Sequence, residues 1–86
     1  MVNKEQLRAA RHWLGLSQEE LAAEAGVARR TIAEFETGAR QPYDRTLRDL
    51  QAALEKHGVE FLFEQGVGVG IRKRPWQGPT ADARGT

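Results

Sequence analysis

Arginine is concentrated in the middle of this 86-residue sequence. All five cationic residues between positions 26 and 50 are arginines: Arg29, Arg30, Arg40, Arg45 and Arg48. The guanidinium group can make two parallel hydrogen bonds to a phosphate or to the O6 and N7 atoms of guanine. Four acidic residues lie in the same block, so its net charge is only +1. The positive bias is weak, so composition alone does not indicate a nucleic-acid binder, although arginine is suited to such contacts.

The sequence lacks the residues that several other kinds of site require. The sequence has no cysteine, which excludes disulfides, thiolate metal sites and a cysteine nucleophile. His12 and His57 fall in different segments without metal-ligand spacing, so we predict no metal and no cofactor. The glycines between Gly66 and Gly70 do not form a dinucleotide fingerprint, because no helix follows them. We therefore predict that the protein is not an enzyme.

Two helices with strong start signals precede the arginine-rich block. The first is predicted over 3–14, where Asn3 can cap the helix and Gln6 can reach back to complete a capping box. Ser17 and Glu20 predict a second capping box at the start of the next, shorter helix.

Two further helices carry the arginines or follow them. The third is predicted over about 28–37 and ends at Gly38. Pro42 prevents the loop after it from continuing the helix. A fourth helix is predicted from about Asp44, with its end near His57.

The hydrophobic period then changes from that of a helix to that of a strand. Apolar and polar residues alternate over 59–64 and, more weakly, over 69–74, which predicts a β-hairpin spanning 59–74. Either Gln65-Gly66 or Val67-Gly68 can form the turn.

The size and the chain ends complete the outline. A mass of 9.6 kDa allows one small domain. Residues 75–86 contain two prolines and two glycines, and we predict a loose tail there. The polar start does not resemble a signal peptide, and no apolar run reaches the roughly 18 residues that span a bilayer. We therefore expect a soluble, cytoplasmic protein without a membrane partner.

The segment from Ser17 to Gly38 has the spacing of a helix-turn-helix. Small residues lie where its two helices must approach closely: Ala22, Ala25 and Gly26. The second helix can then protrude, with Arg29 and Arg30 at its tip, far enough to enter a DNA major groove about 12 Å wide.

The motif residues resemble those of a known family. They are the run Leu14-Gly-Leu-Ser-Gln-Glu-Glu-Leu-Ala22, then Ala25-Gly-Val27, Thr31-Ile32, Glu36-Thr-Gly38, Pro42 and Thr46-Leu47. This pattern resembles the Cro and lambda-repressor type of helix-turn-helix domain, in the xenobiotic-response-element family of bacterial regulators. The resemblance covers about 4–61 and implies a mainly α, lambda-repressor-like bundle of four to five helices with a C-terminal β-hairpin. The DNA-binding domain would span 4–58, with its helix-turn-helix at about 18–37.

The resemblance also implies a set of site residues. Ser17 and Gln18 would begin the supporting helix, with Gln18 contacting a phosphate or a base edge. The base-reading positions would be Arg29, Arg30 and Glu34, and the phosphate contacts would come from Thr31, Thr37, Gly38 and Arg40. Ala28 stands where the family usually has Ser or Thr. This departure removes a helix cap worth about 0.5–2 kcal/mol and one phosphate contact.

Glu34 and Tyr43 keep more than one interpretation, whereas the pair of Arg11 and Glu36 is assigned a structural role. Glu34 can accept a hydrogen bond from cytosine N4, orient Arg30 four residues away, or repel phosphate; we favour the orienting role. Arg11 and Glu36 would form the partly buried structural ion pair of the family. Tyr43 can contact phosphate or pack against the fourth helix.

We therefore expect a sequence-specific regulator that binds double-stranded DNA as a homodimer. The hairpin would pair the two chains through four apolar residues: Val59, Phe61, Phe63 and Ile71. The alternative is the antitoxin of a toxin–antitoxin pair, whose hairpin and tail would bind a toxin protein while the helices bind its own promoter.

Overall fold

The computed structural model of the chain describes residues 1–74, and the predicted tail lies outside them. Over this range the chain forms α1 (Lys4–Leu14), α2 (Gln18–Ala25), α3 (Arg29–Thr37), α4 (Asp44–Glu55), β1 (Val59–Glu64) and β2 (Val67–Lys73). The prediction of a mainly helical bundle followed by a hairpin is confirmed. Within residues 1–74, no helix combines the length and the apolar character needed to cross a membrane.

Side-chain capping fixes where the first two helices begin. The Asn3 side chain accepts a hydrogen bond from the Gln6 amide at 2.8 Å, and Gln6 Oε1 accepts one from the Asn3 amide at 3.0 Å. Ser17 and Glu20 make the same reciprocal pair at the start of α2, at 3.0 and 2.8 Å. Each box satisfies two amide groups that a helix leaves free at its N-terminus.

The last turn of α4 is shorter than the sequence predicts. The helix ends at Glu55 rather than near His57. The amides of His57 and Gly58 bond back three residues, to the carbonyls of Leu54 and Glu55, at 3.0 Å each. Such bonds tighten the end of a helix into 3₁₀ geometry. Gly58, with φ of +89°, then turns the chain into β1.

One continuous hydrophobic core joins the four helices to the first strand. Its largest fully buried side chains are Val2, Leu7, Leu21, Ile32, Leu47, Leu50, Leu54 and Val59. Because every helix and β1 contribute to this list, the hairpin is packed on the same core as the helices.

The turn between α2 and α3 sets the pose of the third helix. Gly26 ends α2 with φ of +71°, a left-handed conformation that glycine adopts without strain. The Val27 amide donates to the Ala22 carbonyl at 3.1 Å, which closes the turn. Leu21 and Ile32 are fully buried on either side of it. The N-terminal end of α3 is thereby fixed at the surface.

The hairpin closes through a two-residue turn and contains a bulge. Gln65 and Gly66 both have positive φ, 53° and 81°, as a type I′ turn requires, so the first of the two predicted turns is the one formed. Leu62 pairs with Gly70 and Phe63 pairs with Gly68, which leaves one residue of β2 unpaired between them.

The hairpin bulge is attached directly to the first turn of α1. The Gln6 side-chain amide donates to the carbonyls of Leu62 and Gly70 at 2.9 and 3.0 Å, and Asn3 Nδ2 donates to the Gly68 carbonyl at 3.1 Å. A Cβ atom at Gly68 would lie only 2.5 Å from Gln6 Cδ. The glycine is therefore required here by close packing.

The burial of the hairpin corrects one expectation about pairing between chains. Val59 and Phe61 are buried in the core of the protomer, and Ile71 packs against that core. These three side chains are covered by their own chain. Their apolar character is therefore no argument for a second chain in a dimer. Phe63 lies next to the turn and is 37% exposed, and it alone of the four predicted residues is exposed.

Candidate nucleic-acid interface

A buried ion pair anchors the third helix to the first. Arg11 donates from Nε and Nη2 to the two carboxylate oxygens of Glu36, at 2.8 Å each, and from Nη1 to the Leu16 carbonyl at 3.0 Å. Only 10% of the Arg11 side chain and 5% of the Glu36 side chain are exposed. The structure therefore brings together the two residues predicted as a structural ion pair.

The two charges shift each other's titration. The hydrogen bond to Glu36 raises the pKa of Arg11 above its ordinary value, although burial acts in the opposite direction. Burial alone would raise the pKa of Glu36, but hydrogen bonds from Arg11 and Gln18 outweigh it and hold the pKa below its ordinary value. Both groups are therefore charged at neutral pH.

Gln18 connects this buried pair to the surface of α3. Its Nε2 donates to Glu36 Oε1 at 3.0 Å, and its Oε1 accepts a hydrogen bond from Arg29 Nη1 at 3.2 Å. Gln18 and Glu36 thus connect Arg29, at the N-terminal end of α3, to the buried Arg11. The sequence assigned Gln18 an outward contact and gave no sign of this inward one.

A second cluster of charges lies on the exposed side of α3. Glu34 Oε2 accepts a hydrogen bond from Arg30 Nε at 3.0 Å, and Glu34 Oε1 accepts one from Arg40 Nη1 at 3.3 Å. The hydrogen bond from Arg30, with a second from Arg40, holds the pKa of Glu34 below its ordinary value. The orienting contact between Glu34 and Arg30 is present, and Arg40 shares it.

Two shallow clefts flank the exposed end of α3. One is lined by Arg11, Ser17, Gln18, Glu19 and Arg29. The other is lined by Thr31, Arg40, Gln41, Pro42, Tyr43 and Thr46. Tyr43 is 86% exposed, so its ring does not pack against α4. Gln41 also lines this cleft, and no sequence pattern indicates it, because a loop residue beside a proline has no periodicity of its own.

Several predicted phosphate-binding groups already have partners within the protein. The Thr37 hydroxyl donates to the Glu34 carbonyl at 3.1 Å, and the Gly38 amide donates to the Phe35 carbonyl at 3.0 Å. Ala28 is the N-cap of α3 and makes no side-chain cap, as expected from its methyl group. The strongest donors facing solvent here are therefore the arginine side chains.

Each histidine lies beside a charged side chain. His57 Nε2 lies 2.7 Å from Glu24 Oε1, and His12 lies 3.3 Å from the Arg11 guanidinium. Within residues 1–74, no group of three or more His, Cys, Asp or Glu side chains is arranged to hold a metal ion. What the site presents to a ligand is a helix end rich in hydrogen-bond donors.

Comparison with known proteins agrees with this geometry. No curated protein matches the chain. A family model described as helix-turn-helix matches residues 7–61, which include all four helices except the first turn of α1, and the first half of β1. Because that match covers well over half of the sequence, the chain belongs to the Cro and lambda-repressor type of helix-turn-helix family, a family of DNA-binding domains.

Proposed function

We propose that this protein is a bacterial transcriptional regulator that recognises a specific sequence in double-stranded DNA. One observation carries the proposal: α3 exposes Arg29 and Arg30 at its N-terminal end while Glu36, on the same helix, is bonded in the core. A reading helix must both protrude and be held rigidly, and this helix meets both requirements.

The proposed complex divides the contacts between two kinds of group. Arg29 and Arg30 would meet base edges in the major groove, where a bidentate arginine–guanine contact contributes about 1–3 kcal/mol of discrimination. Ser17, Thr31 and Arg40 lie along the flanking clefts and would meet phosphates, which set the register of the protein on the duplex. Binding alone would then regulate transcription, without catalysis.

Selection of bound duplexes from a random pool tests this proposal. We expect enrichment of one short motif containing guanine where the arginines reach the groove. If the folded protein enriches no sequence, or binds single strands and duplexes equally, the proposal is wrong.

We further propose that the regulator acts as a homodimer through the distal part of its hairpin. Three apolar side chains are exposed there, close to the turn: Phe63, Val67 and Val69. This set shares Phe63 with the predicted one, which also included Val59, Phe61 and Ile71. A two-fold dimer would place two half-sites about 34–36 Å apart on one face of the DNA. Size-exclusion chromatography with light scattering tests the dimer, and a strict monomer at high micromolar concentration, with and without DNA, contradicts it.

The same exposed hairpin surface also fits the alternative, an antitoxin that binds a toxin protein and its own promoter. A stable complex with a toxin encoded beside this gene, formed on co-expression and lost on Val69→Asp, would favour this alternative. Formation of homodimers that the same substitution dissociates would favour the regulator alone.

A further inference from the structure

In the cluster around Glu34, the two arginine side chains are more exposed than the carboxylate that binds them. Side-chain exposure is 83% for Arg30 and 60% for Arg40, whereas it is 27% for Glu34, the carboxylate that binds both. The carboxylate is thus the more sheltered member of the cluster. In the unbound protein, two of the arginines that would meet DNA are bonded to one negative charge.

The backbone of the same residue holds this cluster together. The Glu34 carbonyl accepts hydrogen bonds from the Ala39 amide at 2.8 Å, the Arg40 amide at 3.2 Å and the Thr37 hydroxyl at 3.1 Å. The loop after α3 is therefore tied to the helix at Glu34. The backbone of Arg40 is thereby fixed beside that of Glu34, so only side-chain freedom is lost when the two groups pair. This reduces the entropic penalty that weakens most surface ion pairs.

We propose that Glu34 is a specificity-determining residue, which keeps Arg30 and Arg40 from binding the phosphates of mismatched DNA. The inference rests on the proposed function and assigns a role to one residue of the same site. Each arginine uses one nitrogen on Glu34, so an arginine that turns its whole guanidinium to a phosphate leaves the carboxylate to the other. When both arginines turn to phosphates, the carboxylate lies unpaired near the negative backbone. Like charges brought together in this way suppress binding to the wrong partner.

A matched sequence removes that penalty. Guanine offers O6 and N7 as acceptors for Arg30, and the N4 amino group of cytosine is a donor that a glutamate can accept from. On such a duplex Glu34 exchanges its arginine partners for a base, and Arg40 is released to a phosphate. On a mismatched duplex the carboxylate has no other donor and retains both arginines. Discrimination therefore comes from weakening the wrong complexes as well as from strengthening the right one.

The test compares Glu34→Gln with the wild type on the selected operator and on a scrambled duplex, over a range of salt concentrations. The glutamine keeps the shape and the backbone carbonyl, removes the charge and replaces one of the two acceptor oxygens with an amino group. We expect the scrambled duplex to bind about tenfold more tightly at low salt, and its salt dependence to steepen by about 0.9 for each arginine released to a phosphate. The operator should gain less, so the ratio of the two affinities falls.

Glu60→Gln is the matched control for net charge, because Glu60 pairs with Arg72 on the hairpin, outside the helix-turn-helix. This variant should leave the affinity ratio unchanged. Equal gains in Glu34→Gln and Glu60→Gln, or weaker binding to both duplexes by folded Glu34→Gln, would overturn the inference.

Arg40→Gln, made in both backgrounds, tests the same device through another residue. In the wild type it should change the salt dependence on scrambled DNA little, because Glu34 already occupies Arg40. In Glu34→Gln it should remove about one unit of that salt dependence. Additive effects in the two backgrounds contradict the inference.

A wild type that binds no duplex overturns the proposed function as well, whereas a selective wild type whose ratio is insensitive to Glu34 overturns only the inference.

Discussion

Glu34 and Glu36 lie two residues apart on α3, and each binds arginine, yet they lie on opposite sides of the helix. The pair between Glu36 and Arg11 is closed from solvent, and both carboxylate oxygens are occupied by Arg11 and Gln18. The cluster around Glu34 is open, with two arginines whose side chains are mostly exposed. The same chemical groups therefore occupy two environments within one helical turn.

The difference determines what each cluster can do. A buried ion pair cannot exchange partners without leaving a charge unsolvated, so it fixes the position of the helix. An exposed pair adds little to stability, because water solvates its members as well as they solvate each other. Its members are available to a ligand instead. Solvent access thus separates an ion pair that holds the helix in place from one whose members can change partners.

The largest expected effect comes from breaking the buried pair. Glu36→Gln leaves the Arg11 charge buried with its main partner neutral, and the free energy of unfolding should fall by about 3–5 kcal/mol. Urea denaturation measures this change. The double variant Arg11→Met/Glu36→Met removes both charges and should lose less than Glu36→Gln. If the double variant is less stable than Glu36→Gln, the ion pair raises the free energy of unfolding by more than the cost of burying its two charges.

The next effect is on Arg29, the exposed residue that Gln18 connects to the buried pair. Arg29→Ala should leave the free energy of unfolding nearly unchanged, because Arg29 is exposed and bonded only to Gln18. It should reduce discrimination at one or two base pairs by about 1–3 kcal/mol. Binding titrations on operator variants measure this. Equal losses on operator and scrambled DNA would mean that Arg29 contacts phosphate instead of bases.

Acid distinguishes the two regions through the titration of Glu36. Because its pKa in the folded protein is lowered, Glu36 contributes stability above its unfolded pKa of about 4.3, and this contribution is lost as pH falls through the folded value. Between neutral pH and pH values below about 4, the wild type should lose more stability than Arg11→Met/Glu36→Met. Denaturation at both pH values checks this, and parallel losses would contradict it.

The smallest effect is expected for the exposed cluster. Glu34→Gln should shift the midpoint of thermal unfolding far less than Glu36→Gln does, because its partners remain solvated and its backbone hydrogen bonds are kept. Circular dichroism melts of the two variants give the comparison. Shifts of similar size would show that Glu34 is a structural residue.

The sequence predicted the local features of the fold well, because their causes are local. The Asn3 and Ser17 capping boxes each depend on a residue three positions away, and the glycine after each of the first three helices ends it without help from elsewhere. The motif spacing located the helix-turn-helix for the same reason. The end of α4 was misplaced by two residues, since 3₁₀ and α turns share the same residue types.

The contacts between distant residues could not be predicted from the sequence. Gln18 bonds to Glu36 18 positions away, and Gln6 bonds to hairpin carbonyls 56 and 64 positions away. The alternation from Val59 to Phe63 indicated an apolar strand face without indicating what covers it. The helices cover most of it, and that outcome depends on how the whole chain packs.

The attachment of Asn3 and Gln6 to the hairpin has a consequence for how the protein is made. Their side-chain partners are synthesised more than fifty residues later. Nearly all of residues 1–74 must therefore leave the ribosome before the first turn of α1 can contact β2. Until that moment the amino-terminal turn relies on its own cap, and docking of the hairpin should be the final event of maturation.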